Sequence, residues 1–340
     1  MHSLLDIQKR LLPDILPIMQ KRYQILHYIG MMEPVGRRSL SVSLGITERV
    51  LRAEVEFLKG QNLIVTATSG MSLTADGKEL LEGLSGMMRE ISGVDEMEKS
   101  LKRRLGIHKV VVVSGDSEES PWVKSELGRA AAVCMKSNLK GENIIAVTGG
   151  STIAAIAEVL TPELISGDVL FVPARGGIGE DVKNQANTIC SKMAEQTSSR
   201  HRVLYVPDQV SREMYKSIIN MPEINEVLNL IKSATMVIHG IGDAIKMAKR
   251  RNSSDQDIAT LQNGNAIGEA FGYYFNEAGE VVHKVQTIGL QLEDLANASS
   301  VIAVAGGASK AKAIAAYMNR APSSTILVTD EGAAKQLLQS

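Results

Sequence analysis

The strongest constraint on the fold lies in residues 144–160. An apolar run, Ile144-Ile145-Ala146-Val147, leads into Thr148-Gly149-Gly150-Ser151-Thr152, and an apolar-periodic stretch follows. β-Branched residues up to a double glycine, then helical spacing, read as strand, tight turn and helix. Such a turn gathers the first N–H groups of the helix, with hydroxyls beside them, into an anion site. The pattern returns as Val301-Ile302-Ala303-Val304-Ala305-Gly306-Gly307-Ala308-Ser309-Lys310, again ahead of a helical run. Two such helix starts, one carrying a lysine, point to a pocket for a phosphorylated ligand. A plain tight turn is the simpler alternative for either one alone.

From Lys109 onward the whole chain follows this grammar. Strands are predicted at 110–113, 144–147, 169–173, 202–206, 236–239, 301–304 and 325–329, with helices at 122–139, 153–160 and 185–196 and another beginning near 244. Alternating strands and helices, several strands nearly unbroken in Val and Ile, imply an α/β fold with a parallel sheet covered on both faces. In a doubly wound, Rossmann-like sheet, ligands bind beyond the C-terminal strand ends, where the strand order switches. The residues collected there are the two turns above, Ala174-Arg175-Gly176-Gly177-Ile178-Gly179, and Gly240-Ile241-Gly242-Asp243.

None of these turns is a Walker A loop or a dinucleotide GxGxxG with its acidic follow-up, which argues against a nucleoside triphosphate and against NAD. Gly149, Gly150, Ser151, Thr152 and Lys310 suit an isolated phosphate. Arg175 can clamp a second one bidentately. Arg250 and Arg251 end a helix, where cations are favourable with or without a ligand. Gln185 and Glu269 are candidates for sugar hydroxyls. The six histidines, His2, His27, His108, His201, His239 and His283, show no ligand spacing, so no metal and no cofactor are expected.

At 340 residues there is room for a second domain. Residues 1–105 hold 15 Lys+Arg against 13 Asp+Glu, a net of +2 in a chain of net charge −1. The apolar positions of 4–31 predict one or two helices, broken or restarted at Pro13 and Pro17. Gly36-Arg37-Arg38-Ser39-Leu40-Ser41-Val42-Ser43-Leu44-Gly45-Ile46-Thr47-Glu48-Arg49-Val50-Leu51-Arg52 then predicts a short helix ending at Gly45. Thr47 is placed to N-cap a second helix running to about Leu58. Val50, Leu51, Val55 and Leu58 are expected on its apolar face. Strand candidates 63–66 and 71–73 add a wing. Helix, glycine turn, capped helix and wing together point to a winged helix-turn-helix that binds double-stranded DNA; a helical hairpin with a small ribbon that binds no DNA is the alternative. Thr47, Glu48, Arg49 and Arg52 would read bases, and Arg37 and Arg38 would hold phosphates.

Leu84, Met87, Ile91, Val94, Leu101 and Leu105 recur at three- and four-residue spacing, with Glu98 in the seam. They suit a coiled-coil dimer linker or a stripe packed on the same chain. Cys134 and Cys190 lack CxxC spacing and read as buried thiols. With no signal-peptide pattern and no long apolar run, the expectation is a cytoplasmic protein with no membrane partner. The domain boundaries read as 1–88 for DNA binding, 89–106 for a linker helix and 107–340 for ligand binding and oligomerisation.

Leu44-Gly45-Ile46-Thr47-Glu48-Arg49 resembles the turn of DeoR- and SorC-type bacterial repressors. The C-terminal two-thirds resembles the SorC-type sugar-binding domain through Val147-Thr148-Gly149-Gly150-Ser151-Thr152, His239-Gly240-Ile241-Gly242, Ala266-Ile267-Gly268-Glu269, the 305–310 turn and Val328-Thr329-Asp330-Glu331. Many relatives carry Gly-Asp where this chain has Gly268-Glu269. That domain is related to the glucosamine-6-phosphate deaminase and ribose-5-phosphate isomerase fold. The resemblance implies a homo-oligomeric repressor, a dimer or tetramer, of an operon for triose-phosphate metabolism, released by fructose-1,6-bisphosphate or a related sugar phosphate. The rival expectation is a sugar-phosphate isomerase or aminosugar-phosphate deaminase fused to a helix-turn-helix, with Asp243, Glu269, Asp181 or His239 as its base.

Overall fold

The computed structural model describes residues 14–165, 167–177 and 181–339. The helical reading of residues 4–13 lies outside them, as do Ile178 and Gly179 of the third glycine turn. The chain divides into two compact units, Met1–Asp95 and Glu96–Ser340.

The first unit contains α1 (Ile15–Met32), α2 (Arg37–Leu44), α3 (Glu48–Gly60), β1 (Ile64–Ala67), β2 (Gly70–Leu73) and α4 (Ala75–Ser92). A helix starts at Ile15, so of the two expectations for Pro17 it is the restart that the structure shows. Pro17 sits in the first turn, where its missing N–H would have had no intrahelical acceptor. Ile25, Leu26 and Ile29 of α1, Leu40 of α2 and Leu51, Val55 and Leu58 of α3 are all buried. Gly45 ends α2 in the left-handed conformation (φ 62°), which glycine enters without a Cβ clash. Ser41 closes the turn by donating its hydroxyl to the Ile46 carbonyl at 2.7 Å. Thr47 then caps α3, its hydroxyl oxygen accepting from the Val50 N–H at 3.3 Å. β1 and β2 pair antiparallel from Ile64–Leu73 to Ala67–Gly70, forming the wing.

The leucine-bearing stretch at 76–105 is two helices, not one. Gly93 (φ 68°) ends α4, and α5 (Val94–Leu105) follows. Glu98 breaks the apolar seam because its carboxylate accepts the Val112 N–H at 2.7 Å, on the edge strand of the main sheet. An edge strand carries unpaired N–H groups, and Glu98 satisfies one of them.

The second unit holds β3 (Lys109–Val113), α6 (Trp122–Asn138), β4 (Asn143–Val147), α7 (Ser151–Val159), β5 (Val169–Pro173), α8 (Ala186–Thr197) and β6 (Arg200–His201). There follow α9 (Arg212–Ile219), α10 (Pro222–Lys232), β7 (Met236–Gly240), β8 (Gly242–Asp243), α11 (Ala244–Arg250), α12 (Asp255–Asn263), β9 (Gly268–Ala270), β10 (Tyr273–Phe275) and β11 (Val281–Lys284). The chain ends with β12 (Ser300–Val304), α13 (Ala311–Met318), β13 (Thr325–Asp330) and α14 (Glu331–Gln339). The main sheet has seven parallel strands in the order β3-β13-β12-β7-β4-β5-β6. β5, β12 and β13 are buried at every residue, as a sheet covered on both faces requires. From β4 the chain winds outward through β5 to β6, then returns beside β4 as β7 and winds the other way. The switch point therefore lies between β4 and β7.

Two sequence readings change here. The strand expected at 202–206 is instead Arg200–His201, paired with Leu170 and Phe171. Leu204 beyond it is buried in a loop whose backbone is held by Asn187, through Leu204 N–H to Asn187 Oδ1 at 2.9 Å and Asn187 Nδ2 to Leu204 O at 3.0 Å. A second sheet, antiparallel in the order β11-β10-β9-β8, was not expected at all. It packs Tyr274 and Val285 against Ala244, Ala248 and Leu261.

Candidate functional site

A cavity of about 170 Å³ opens at the C-terminal ends of β4 and β7, at the switch point. Its wall includes Thr148, Gly149, Gly150, Ser151, Thr152, Arg175, Gln185, Arg250, Glu269 and Lys310, so the structure brings all nine sequence-predicted ligand residues to one place. Arg251, Gly240–Gly242 and Phe271 complete the part that carries chemistry.

The first turn is built close and left open. Thr148 N–H donates to the Ile238 carbonyl across to β7 at 3.0 Å, and Gly150 N–H donates to the Asn184 carbonyl at 2.9 Å. A side chain at Gly149 would place its Cβ 2.6 Å from that same carbonyl oxygen, so the residue must be glycine. Gly150 (φ 121°) turns the chain into α7 without a side-chain cap. The N–H groups of the first turn of α7 have no intrahelical acceptor, and Ser151 and Thr152, which carry them, line the cavity.

The second turn corrects the sequence reading. Its amides are already occupied by the chain's own carboxylates. Gly307 N–H donates to Asp330 Oδ2 at 2.7 Å, Ala308 N–H to Asp116 Oδ2 at 3.2 Å and Ser309 N–H to Glu118 Oε2 at 2.9 Å. The Ser309 hydroxyl also donates to Glu118. The anion expected at these amides is thus internal, and only Lys310 reaches the cavity wall. Burial draws the Lys310 ammonium down from the ordinary lysine value; Lys124 and Lys246 add to this, while Glu118 and Asp330 oppose it.

Opposite the first turn stands a buried cluster that binds the small sheet to the large one. Arg175 Nη2 lies 2.7 Å from Asp208 Oδ1, and Arg175 Nη1 lies 3.5 Å from Glu269 Oε1. Arg251 reaches Asp208 through Nε at 3.3 Å, Glu269 through Nη2 at 2.8 Å and the Tyr274 hydroxyl oxygen through Nη1 at 2.9 Å. Two cations and two carboxylates cancel, which is what permits their burial. Burial would raise the Glu269 pKa, but the two guanidiniums and the Gly272 N–H outweigh it and hold the carboxylate below its usual range. These contacts all fall on Glu269 Oε1, so the residue positions its neighbours while it also lines the cavity. It accepts Gly272 N–H at 2.7 Å, fixing a hairpin turn in which Phe271 (φ 54°) and Gly272 (φ 83°) are both left-handed. A phenylalanine in that conformation is strained, and it lines the cavity with its ring 4.8 Å from that of His239.

His239 is wholly buried beneath this wall. Its Nδ1 is 3.0 Å from the Gly240 carbonyl, which can only accept, so Nδ1 carries the proton and Nε2 accepts from the Tyr317 hydroxyl at 2.9 Å. Burial pushes its pKa down to about 4, so the ring is neutral. The four acid–base candidates are all engaged in holding structure. Asp243 caps α11, accepting Lys246 N–H at 2.8 Å, and Asp181 accepts from the Asn184 amide.

Asp208 is the site residue that sequence reasoning left out, and Arg251 is one that it reads only as a helix-end cation beside Arg250. Of the adjacent pair ending α11, Arg251 turns inward, with its side chain 2% exposed, and Arg250 lies on the cavity wall. Among the described residues, the charged side chains on that wall are four cations, Arg175, Arg250, Arg251 and Lys310, against the carboxylate of Glu269. That balance, facing a nest of amides and hydroxyls, suits a ligand of more than one negative charge.

In the first unit, Arg37 and Arg38 are exposed at the start of α2, and Glu48, Arg49 and Arg52 are exposed on α3. Thr47 spends its acceptor on the helix cap and keeps its O–H as a donor. Val50 departs from the sequence reading. It lies on the exposed side, and the buried side is completed by Glu54, whose carboxylate meets Lys21 and Arg22.

Residues 18–88 match the family model "CggR N-terminal DNA binding domain", and residues 89–339 match "Putative sugar-binding domain". The chain is 60% identical over 340 residues to the central glycolytic genes regulator of Priestia megaterium, covering 100% of this chain and 99% of that one. It is 57% identical to the regulator of the same name in Bacillus subtilis, over 100% and 99% of the two chains. Among solved structures, a "putative SorC family transcriptional regulator" of Enterococcus faecalis superposes with a TM-score of 0.68 at 48% identity, covering 72% of this chain and 99% of that one. The full-length sorbitol operon regulator of Klebsiella pneumoniae shares the fold across 96% of this chain and 99% of its own, with a TM-score of 0.67 at 18% identity. The chain belongs to the central glycolytic genes regulator family, within the SorC/DeoR group of transcriptional regulators.

Proposed function

We propose that this protein represses a glycolytic, triose-phosphate operon and that a sugar phosphate, fructose-1,6-bisphosphate or a close relative, relieves its hold on the operator. The chain is a DNA-binding transcriptional regulator with a sugar-binding effector domain, and not an enzyme. The observation that carries the choice of ligand is the composition of the cavity at the switch point, which combines a helix-start turn with several cations. The hydroxyls and helix-start amides of Ser151 and Thr152, carried on the Gly149-Gly150 turn, take one phosphate, and Arg175, Arg250 and Lys310 face the other. Gln185 meets the sugar between them, and Glu269 holds Arg251 and the Phe271 turn in place. In the first unit Arg37 and Arg38 hold DNA phosphates, while Glu48, Arg49 and Arg52 on the capped helix reach base edges. The protein works as a homo-oligomer, dimer or tetramer, on repeated half-sites. Residues 89–106 link its DNA-binding part to its effector part.

The ligand acts only through its different affinity for the DNA-bound and DNA-free arrangements, so operator DNA must weaken ligand binding by the same factor. Calorimetric titration of the full chain with fructose-1,6-bisphosphate, fructose-6-phosphate and inorganic phosphate, with and without operator DNA, tests both phosphate contacts. The bisphosphate should bind most tightly. DNA should cost it roughly 5–150-fold, the usual range of such couplings. Equal affinity for the mono- and bisphosphate would refute the two-phosphate reading.

A further inference from the structure

Several large apolar side chains of the DNA-binding unit are exposed, Val42 and Val65 among them, and one of them, Val50, stands at the start of the helix that follows the turn. On α3, Leu51, Val55 and Leu58 are at most 1% exposed, yet Val50 keeps 42%. Its neighbours on the solvent side are Arg49, Arg52, Ala53 and Glu56. Phe57, two helical turns on along the same edge, is equally exposed at 42% but is engaged by Arg22, whose guanidinium carbon lies 3.5 Å from the ring centroid. Val50 belongs to the first turn, whose geometry is fixed by the Thr47 cap through the Val50 N–H itself. In helix-turn-helix proteins the N-terminal residues of the second helix are those that meet base edges.

In the major groove a thymine differs from the other bases by its C5-methyl group, which cations cannot read and an apolar side chain can. Valine suits this task. Its branched Cβ leaves essentially one rotamer in a helix, so the methyl groups are presented without an ordering cost. Arg49, one residue before, and Arg52, two after, supply the positive charge that brings the duplex to this face. We propose that Val50 is a specificity-determining residue that packs against the methyl group of one thymine in each operator half-site. This rests on the DNA-binding reading above.

The probe is a duplex selected from a random library by the full-length chain. Each thymine of that duplex is then replaced in turn by uracil, which removes only the methyl group. Wild type should show one position per half-site where uracil weakens binding roughly fourfold, the scale of burying one methyl-sized group. Val50→Ala should bind the thymine duplex about as weakly as wild type binds the uracil one, with no further loss on uracil. Affinity for the sugar phosphate should not change, which shows that the variant is folded. Binding that ignores every thymine methyl, or an equal uracil penalty in Val50→Ala, overturns the proposal and leaves the DNA-binding reading standing. Failure to enrich any duplex overturns both.

Discussion

The two glycine turns at the sheet edge share a sequence grammar and differ in what fills them. Both follow a buried parallel strand, both use a positive-φ glycine, Gly150 and Gly307, and both open a helical segment. At the first, the amides and hydroxyls of Ser151 and Thr152 line the cavity. At the second, three successive amides are held by Asp330, Asp116 and Glu118. A strand–Gly-Gly–helix motif thus specifies an anion site but not whose anion occupies it. That depends on carboxylates supplied from elsewhere in the chain. One turn stays open to the cavity; the other fastens the sheet edge and delivers Lys310.

The largest effect should come from breaking the internal occupant. Asp330 is fully buried and accepts Ser117 N–H at 2.8 Å, Gly307 N–H at 2.7 Å and Ala333 N–H at 2.9 Å. Asp330→Ala leaves three buried donors unsatisfied, at about 1–3 kcal/mol each before relaxation. Urea unfolding followed on the effector domain should show a loss of at least about 3 kcal/mol. A loss under about 1 kcal/mol would mean that the turn does not depend on its carboxylate. The matching change at the open turn should behave in the opposite way. Thr152→Ala removes a cavity hydroxyl and little of the fold, so stability should hold while sugar-phosphate affinity falls. A hydrogen bond to a charged group is worth about 1.5–3 kcal/mol, or roughly 10–150-fold in Kd. Repression should then persist in the presence of inducer.

This contrast also marks what the sequence could and could not convey. Periodicity located the turns because strand, glycine and helix are adjacent in the chain, and Gly45 and Thr47 signalled the helix-turn-helix for the same reason. Glu118 could not be read as the occupant of the Ser309 turn, since 191 residues separate them. Arg251 looked like a helix-end cation, and only Asp208 and Glu269, 43 and 18 residues away, reveal why it turns inward. Strands of two to four residues, such as β8 to β11, are too short for an alternating pattern to emerge. The seam at Glu98 was visible as an interruption, but its cause, the Val112 N–H, lies on another element. Val50 was assigned to the apolar face by its type, and its exposure shows that side-chain chemistry alone does not fix which way a helix residue points.

The smallest effect, and the most discriminating, concerns pH at Glu118. The Ser309 hydroxyl and N–H, aided by Lys246 and Lys310, hold its carboxylate below the usual range against a modest opposing effect of burial. A carboxylate whose pKa is lower in the folded state stabilises the fold above its unfolded pKa. That stabilisation is lost as pH falls through the folded value. Glu118→Gln keeps one acceptor and removes the charge. At neutral pH it should be less stable than wild type by at most about 1 kcal/mol, since the residue is solvent-exposed. The difference should begin to shrink as pH falls through the unfolded glutamate value of about 4.3 and should vanish only below the lower, folded value. Removing this negative charge beside Lys310 should also raise the affinity for a sugar bisphosphate a few-fold at neutral pH. Thr152→Ala, by contrast, should show the same stability as wild type across this range, because among the described residues no carboxylate holds the amides of the first turn. A Glu118→Gln deficit that persists at low pH would show that the bond to Ser309 depends on shape rather than charge, and the two turns would then differ less than their electrostatics suggest.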